Sequence, residues 1–289
     1  MLTLETPAAR VNILLKGAEL CSLYHKETQT EYIWDGNPAF WNKHSPILFP
    51  IVGTLKNDTF SHNGLLYSLP RHGFARDMNF TAEQHGADQA TFSLQSDAET
   101  LAKYPFLFCL KVHYKLTDDH LAVRYSVENT GDDNMYFSIG GHPAFKIPIN
   151  DALQFEDYEL QFEQTEQADI YPLNHDGHLV QQGIPFLQHA AKVSLKKDLF
   201  YDDALIFKQL NSKKIRLASS KDKRYIEVSF EQFPYLGIWS KKDANFICIE
   251  PWNGVTDVES ASGLLAEKEG ICMLEPQQKW EGSWQIQFG

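Results

Sequence analysis

The sequence predicts an all-β protein built as one large sandwich of antiparallel strands. Three observations favour this class: apolar and polar residues alternate along much of the chain, 13% of the residues are aromatic, and helical signals are scarce. Alternation with a period of two places apolar side chains on one face of a strand, and aromatic residues favour such pleated surfaces. Many short strands without intervening helices indicate packed antiparallel sheets.

The clearest predicted element is a hairpin in the first half of the chain. Alternation runs over residues 108–116, stops at a polar turn at residues 117–120, and resumes over residues 121–127. Two alternating runs joined by a short polar turn predict antiparallel strands with one solvent-facing side. The same rhythm predicts further strands at residues 158–163, 225–230, 246–249 and 284–288.

Three other segments complete the predicted architecture. A continuous apolar stretch at residues 11–15 predicts a strand buried on both faces. The best candidate for a helix lies near residues 96–104, where Ser96 and Glu99 match a capping box and Pro105 ends the segment. The polar stretch at residues 164–183 is interpreted as a long excursion. Because no repeat or flexible linker divides the chain, we expect a single domain over residues 1–289.

Composition excludes several functional classes. A net charge of −12 disfavours nucleic acid and anionic membranes as partners. No apolar window is long enough to predict a membrane span, and the first residues lack the pattern of a secretion signal. The four cysteines form no CxxC pair, so we expect reduced thiols in a cytoplasmic protein. Composition predicts no oligomeric state.

Two short segments place a histidine beside conformationally special neighbours. In one, Arg71 and His72 stand between a proline and a glycine. In the other, Gly140 and Gly141 precede His142, so that a ligand would be able to approach the backbone closely. A proline after His142 favours an extended conformation at that residue. For both histidines, a structural role and a functional role remain open.

Carboxylates mark two further segments. Glu250 follows an apolar run and precedes a proline and Trp252. An unpaired charge near the core is costly, so Glu250 needs either a structural partner or a substrate. Asp202 and Asp203 precede another predicted strand, where they are either turn formers or ligands.

Motifs for metals and nucleotides are absent from the sequence. The remaining histidines show no HExxH or comparable spacing, and no GxxxxGK[ST], GxGxxG or GxSxG pattern occurs. We therefore expect no metal and no cofactor. The aromatic surplus suits a cleft that binds sugars, whose apolar faces stack on rings.

Several ordered motifs resemble the aldose 1-epimerase (galactose mutarotase) family, and more narrowly its LacX-like branch. The fold that this resemblance implies is a galactose mutarotase-like antiparallel β-supersandwich. The motifs lie at residues 17–20, 32–34, 45–53, 72–73, 141–145 and 250–252.

The resemblance also implies a site. His142 would be the general acid and Glu250 the general base, while His72 would help to hold the sugar ring. Asp203 is the best match to an aspartate that contacts sugar hydroxyls, with Asp202 one position away. The implied partner is a small sugar, either a free or a phosphorylated hexose, and no cofactor is implied.

One departure from the family pattern concerns an arginine. The mutarotases proper carry it shortly after an early glycine-containing strand, where this chain has Lys56. Lys56 or Arg71 would replace it. Arg71 and Arg76 are either phosphate ligands or solvated cations, and Trp252 is either a sugar platform or a core indole.

Anomer exchange opens the hemiacetal ring, so one proton leaves the C1 hydroxyl and one arrives at the ring oxygen. A carboxylate and an imidazolium on opposite sides of that unit would perform both transfers and produce a bell-shaped pH profile. The alternatives are a hexose-6-phosphate 1-epimerase, a glycosidase with two carboxyl groups, and a non-catalytic carbohydrate-binding protein.

Overall fold

The computed structural model describes all of residues 1–289. It contains 23 strands, one α-helix (α1, Ala98–Lys103) and short 3₁₀ turns. The strands, numbered β1–β23 in chain order, span Leu2–Glu5, Ala9–Ile13, Leu20–His25, Thr30–Glu31, Ile47–Leu48, Thr59–His62, Leu65–Ser68, Thr81–Gln84, Gln89–Gln95, Phe108–Leu116, His120–Asn129, Met135–Phe137, Ile139–Gly141, Ala144–Lys146, Glu159–Ile170, Ile184–Ser194, Leu205–Phe207, Lys214–Ala218, Tyr225–Ser229, Tyr235–Trp239, Phe246–Asn253, Cys272–Leu274 and Lys279–Phe288.

The largest sheet has nine strands in the order β16-β15-β18-β19-β23-β11-β10-β9-β8. At its centre, β10 and β11 pair antiparallel, with Phe108 opposite Asn129 and Leu116 opposite Leu121. This is the hairpin that alternation predicted. The strands predicted near residues 158, 225 and 284 are β15, β19 and β23 of the same sheet.

A second sheet of six strands carries the residues of most interest. Its order is β17-β20-β21-β13-β5, and β14 also pairs with β21. A four-stranded sheet (β1-β2-β3-β4) and two two-stranded sheets (β6-β7 and β12-β22) complete the molecule. A continuous core of 64 buried residues draws side chains from both large sheets. The antiparallel pairing throughout confirms the predicted all-β sandwich.

The helix is confirmed, but its predicted cap was one residue out of register. The N-cap is Asp97, whose carboxylate accepts a hydrogen bond from the Thr100 backbone N–H at 2.8 Å. The Thr100 hydroxyl accepts the reciprocal bond from the Asp97 N–H at 2.8 Å. The pair formed by Asp97 and Thr100 therefore replaces the one predicted for Ser96 and Glu99.

Two predictions about strands were wrong. The segment at residues 11–15 is not buried on both faces: Val11 and Ile13 are buried, but Asn12 and Leu14 are only partly buried and Leu15 is exposed, and β2 ends at Ile13. The polar stretch beginning at residue 164 is also not an excursion up to residue 170, because β15 continues through it and pairs with β16.

The continuation of β15 escaped detection because register shifts interrupt its alternation. The buried Glu166 accepts backbone hydrogen bonds from Asn211 and Ser212, at 3.1 and 2.6 Å. A carboxylate satisfied in this way occupies a position where an apolar residue is expected. No helix of the protein has the length and hydrophobicity needed to cross a membrane.

Candidate active site

A cleft of about 430 Å³ opens beside the centre of the six-stranded sheet. β21 supplies its floor, because Glu250 and Trp252 lie two residues apart and therefore project from the same face of that strand. The neighbouring strands are β20 and β13, which place Gly237 opposite Glu250 and Gly140 opposite Trp252. β21 extends beyond the predicted residues 246–249, since it continues through Glu250 to Asn253.

The cleft brings together side chains that are far apart in the sequence, from Phe40 to Trp252. All six residues predicted for the site line it, namely Arg71, His72, His142, Asp203, Glu250 and Trp252. Asp202 is exposed and does not line the cleft, and neither does Lys56. Of the two cations considered for the family's arginine, only Arg71 therefore lies at the site.

His142 and Glu250 touch each other directly. The Nε2 atom of His142 lies 3.2 Å from Oε2 of Glu250, and their side chains are only 9% and 1% exposed. This arrangement corrects the expectation that the two groups stand on opposite sides of a substrate.

Burial controls the charge of this pair. It raises the pKa of Glu250 well above its ordinary value, and it lowers the pKa of His142 to about 3. Both shifts arise because a site without water disfavours the charged form of each group. In the resting state His142 is therefore a neutral imidazole, and not the expected imidazolium. It lies beside the Glu250 carboxyl group, whose pKa is raised.

Two tryptophans hold the His142 ring. Trp41 stacks on it with ring centroids 4.9 Å apart, and Trp239 meets it edge-on at 5.7 Å. The Trp34 indole N–H donates to the carbonyl of Trp41 at 2.9 Å and so anchors the stacked ring. No sequence motif marks Trp41 or Trp239. The surplus of aromatic residues was their only signal, and it carried no positional information.

His72 is a neutral hydrogen-bond donor. The Nδ1 atom of its ring accepts a hydrogen bond from the Gly53 backbone N–H at 3.1 Å, and the backbone N–H of His72 donates to the Gly53 carbonyl at 2.8 Å. Burial lowers the pKa of His72 well below its ordinary value. Because Nδ1 is an acceptor in a neutral ring, the proton resides on Nε2, which is available to a bound hydroxyl.

Asp203 adopts an unusual backbone conformation at the cleft. Its φ of +97° is disfavoured for a residue with a side chain. The Oδ1 atom accepts a hydrogen bond from the Ala204 N–H at 2.8 Å and lies 3.7 Å from Nη2 of Arg71. Strain of this kind persists where the surrounding structure holds a side chain in place, and it clusters at ligand sites.

Several positively charged side chains line the cleft. Arg71, Arg76, Lys241 and Lys242 all line it, although the chain as a whole is strongly acidic. Arg76 donates through Nη2 to the carbonyl of Arg71 at 2.7 Å, while its buried Nε atom has no hydrogen-bond partner. The two lysines were not predicted, because no motif marks them.

The glycines before His142 leave space for neighbouring tryptophan rings. A Cβ on Gly140 would lie 2.6 Å from the Trp252 ring, and one on Gly141 would lie 2.8 Å from the Trp284 ring. Across the sheet, a Cβ on Gly237 would lie 2.4 Å from Trp252. These glycines make room for the protein's own indoles, not for a ligand's approach to the backbone.

The fold and this set of residues define a class of sugar-epimerase-like proteins, and the chain belongs to the aldose 1-epimerase family. The family model described as "Aldose 1-epimerase" matches residues 1–283.

Particular relatives narrow the position within that family. The chain is 33% identical over 282 residues to "Protein LacX, chromosomal" of Lactococcus lactis subsp. lactis, which covers 93% of each chain. A galactose mutarotase related enzyme from Lactobacillus acidophilus superposes with a TM-score of 0.95 at 35% identity, over 100% of this chain and 97% of the other. A galactose mutarotase-like protein from Lactobacillus casei gives 0.93 at 31% identity, over 100% of both chains.

Proposed function

We propose that this protein is an aldose 1-epimerase that interconverts the α and β anomers of a hexose. The observation that carries the proposal is the direct contact between His142 and Glu250 at a cleft of about 430 Å³. This volume suits a single small ligand. Membership of the aldose 1-epimerase family supports the same reaction class.

The pair needs one proton in total to catalyse ring opening. Glu250 as carboxylate takes the proton of the C1 hydroxyl, while His142 as imidazolium gives a proton to the ring oxygen; ring closure reverses both transfers. The charge of Arg71 favours the carboxylate form of Glu250, and hydroxyls donating to that carboxylate would favour it further. Each positioned group contributes about 10²–10⁴ to the rate.

Other residues of the cleft would orient the sugar. The Nε2–H of His72 is a donor, and the carboxylate of Asp203 is an acceptor for hydroxyls. The rings of Trp41, Trp239 and Trp252 offer surfaces for the apolar face of a pyranose. Together these groups would hold C1 and the ring oxygen against the acid–base pair.

Polarimetry of freshly dissolved glucose and galactose tests the reaction. We expect His142→Asn and Glu250→Gln each to lower the catalysed relaxation rate by about 10²–10⁴. His178→Asn is the matched control, since His178 is a buried histidine that does not line the cleft. A wild-type protein that binds sugar but leaves the relaxation rate unchanged would contradict catalysis and support a binding role.

The four cations of the cleft favour a second candidate substrate, a hexose 6-phosphate. Arg71, Arg76, Lys241 and Lys242 would neutralise the charge of a phosphate group. Epimerisation at C1 would use the same acid–base pair, so only the anion contact differs between the two candidates.

Competition between free and phosphorylated hexose distinguishes them. If phosphate is recognised, Lys242→Gln should lower the ratio of kcat/KM for the phosphorylated sugar to that for the free sugar by about tenfold or more. Lys223→Gln, at an exposed position outside the cleft, is the control. An unchanged ratio in Lys242→Gln would argue against a phosphate contact there.

A further inference from the structure

Cys248 lies beneath the acid–base pair and has no part in the proposed reaction. It precedes Glu250 by two residues on β21, so both side chains project from the same face of the strand. The thiol is fully buried in a cluster with Trp34, Ala144 and Phe246. The chemistry of its sulfur atom matters at this position only if the sulfur binds a ligand such as a metal ion; otherwise the residue acts as an apolar core residue.

Three different ligand atoms converge at this point. One atom each from His142, Cys248 and Glu250 lies within 4.8 Å of the other two, and all three residues are buried. Oε2 of Glu250 and Nδ1 of His142 are buried and have no hydrogen-bond partner in the protein. The cluster thus combines nitrogen, sulfur and oxygen donors, two of which belong to side chains with unsatisfied polar atoms.

We propose that His142, Cys248 and Glu250 form a binding site for Zn²⁺ or a similar borderline divalent ion. Zinc takes tetrahedral sets of imidazole, thiolate and carboxylate, and sites with three protein ligands keep the fourth position open. Bonds of about 2.0 Å at tetrahedral angles separate two ligand atoms by about 3.3 Å. The distance of 3.2 Å between His142 Nε2 and Glu250 Oε2 matches that separation.

The charges balance when the ion binds. A thiolate and a carboxylate together offset the two positive charges of zinc, and the imidazole binds in its neutral form. The thiol proton and the proton of the His142–Glu250 pair leave to solvent. The fourth ligand is a water molecule or a sugar hydroxyl in the cleft, which His142 and Glu250 both line.

Zinc at this site inhibits the proposed epimerase, because it occupies the lone pairs that accept and deliver protons. The inhibition rests on the proposed function, whereas the binding does not. Zinc and the sugar therefore compete for the side chains of His142 and Glu250. The proposed reaction does not require the metal.

Cobalt(II) spectroscopy tests the binding without any activity measurement. Co²⁺ added to the wild-type protein should give the charge-transfer absorption of a thiolate ligand, and Zn²⁺ should abolish it. Cys248→Ala and Cys248→Ser should both lose the band. Cys272→Ala, which removes a thiol outside the cluster, should keep it. Absence of the band in wild type, or its persistence in both Cys248 variants, would overturn the proposal.

Affinity and inhibition complete the test. Loss of a residue that only orients a metal ligand typically weakens metal binding by about 10–100-fold. Loss of the sulfur ligand itself should weaken zinc binding by at least as much. The ratio of epimerase rates with and without zinc should fall well below one in wild type, recover with a chelator, and stay near one in Cys248→Ala. A cobalt band in a protein without epimerase activity would refute the proposed function and leave the metal site standing, and zinc-insensitive activity despite the band would refute the inhibition.

Discussion

The indole of Trp41 stacks on the imidazole of His142, with ring centroids 4.9 Å apart and an angle of 28° between the ring planes. The contact excludes water from one face of the histidine. It therefore contributes to the burial that lowers the pKa of His142 to about 3. Trp41, which transfers no proton in the proposed reaction, therefore influences the protonation of His142, which does.

Removal of the Trp41 ring should change the pKa of His142. In Trp41→Ala, water reaches the imidazole, so the pKa of His142 should rise from about 3 toward its ordinary value of 6.5. Loss of orientation should lower the epimerase rate by up to about 10²-fold. NMR titration of the His142 ring and polarimetry measure the two effects. Trp41→Phe keeps a stacked ring and should change both much less; an unshifted pKa in Trp41→Ala would contradict the role of the stack.

The pH profile of activity should be wider than ordinary pKa values predict. The pair holds the one proton it needs between the pKa of His142, about 3, and the raised pKa of Glu250. Activity should therefore persist as pH falls through 4.5, the ordinary value of Glu250, and decline only near the His142 pKa of about 3. On the alkaline side it should fall as pH rises through the raised pKa of Glu250, where the pair loses its proton. Polarimetric rates across this range provide the check. A rate that declined as pH fell through 4.5 would show that the pKa of Glu250 is not raised.

Glu250 should reduce stability at alkaline pH. Because its pKa is raised in the folded protein, the stability linked to it is fully present below the ordinary glutamate pKa and is lost as pH rises through the folded value. Glu250→Gln removes this loss, and we expect a gain of about 0.5–2 kcal/mol in the free energy of unfolding under alkaline conditions. Denaturant unfolding of both proteins at acidic and alkaline pH measures the difference. An equal difference at both would contradict the linkage.

The packing of the Trp252 ring against Gly237 should not tolerate a methyl group at that glycine. A Cβ at Gly237 would lie 2.4 Å from the indole, so Gly237→Ala should displace the ring, destabilise the fold by about 1–3 kcal/mol and weaken sugar binding. Gly131→Ala is the control, since its nearest contact would be an ordinary 3.4 Å. Thermal unfolding and calorimetric sugar titration report the two effects. Equal behaviour of the two variants would show that the Trp252 ring can move at little cost.

The local alternation of apolar and polar residues was sufficient to predict much of the fold. Alternation identified the β10–β11 hairpin because each strand has one dry and one wet face, and that periodicity is written in the chain itself. The pattern failed in β15, where register shifts and the satisfied carboxylate of Glu166 break the alternation. The helix cap moved by one residue because Asp97 and Ser96 are both competent caps, and the backbone conformation decides between them.

The sequence by itself determined the strand class and the chemically distinctive residues of the cleft, because periodicity, neighbouring prolines and family motifs are all local. Only the tertiary structure decided that His142 and Glu250 meet at 3.2 Å, that Trp41 covers the imidazole, and that Cys248 lies beneath the pair. These contacts join strands and loops distant in the chain. Their charge states follow from the exclusion of water, which is a property of the assembled sheets and not of any single segment.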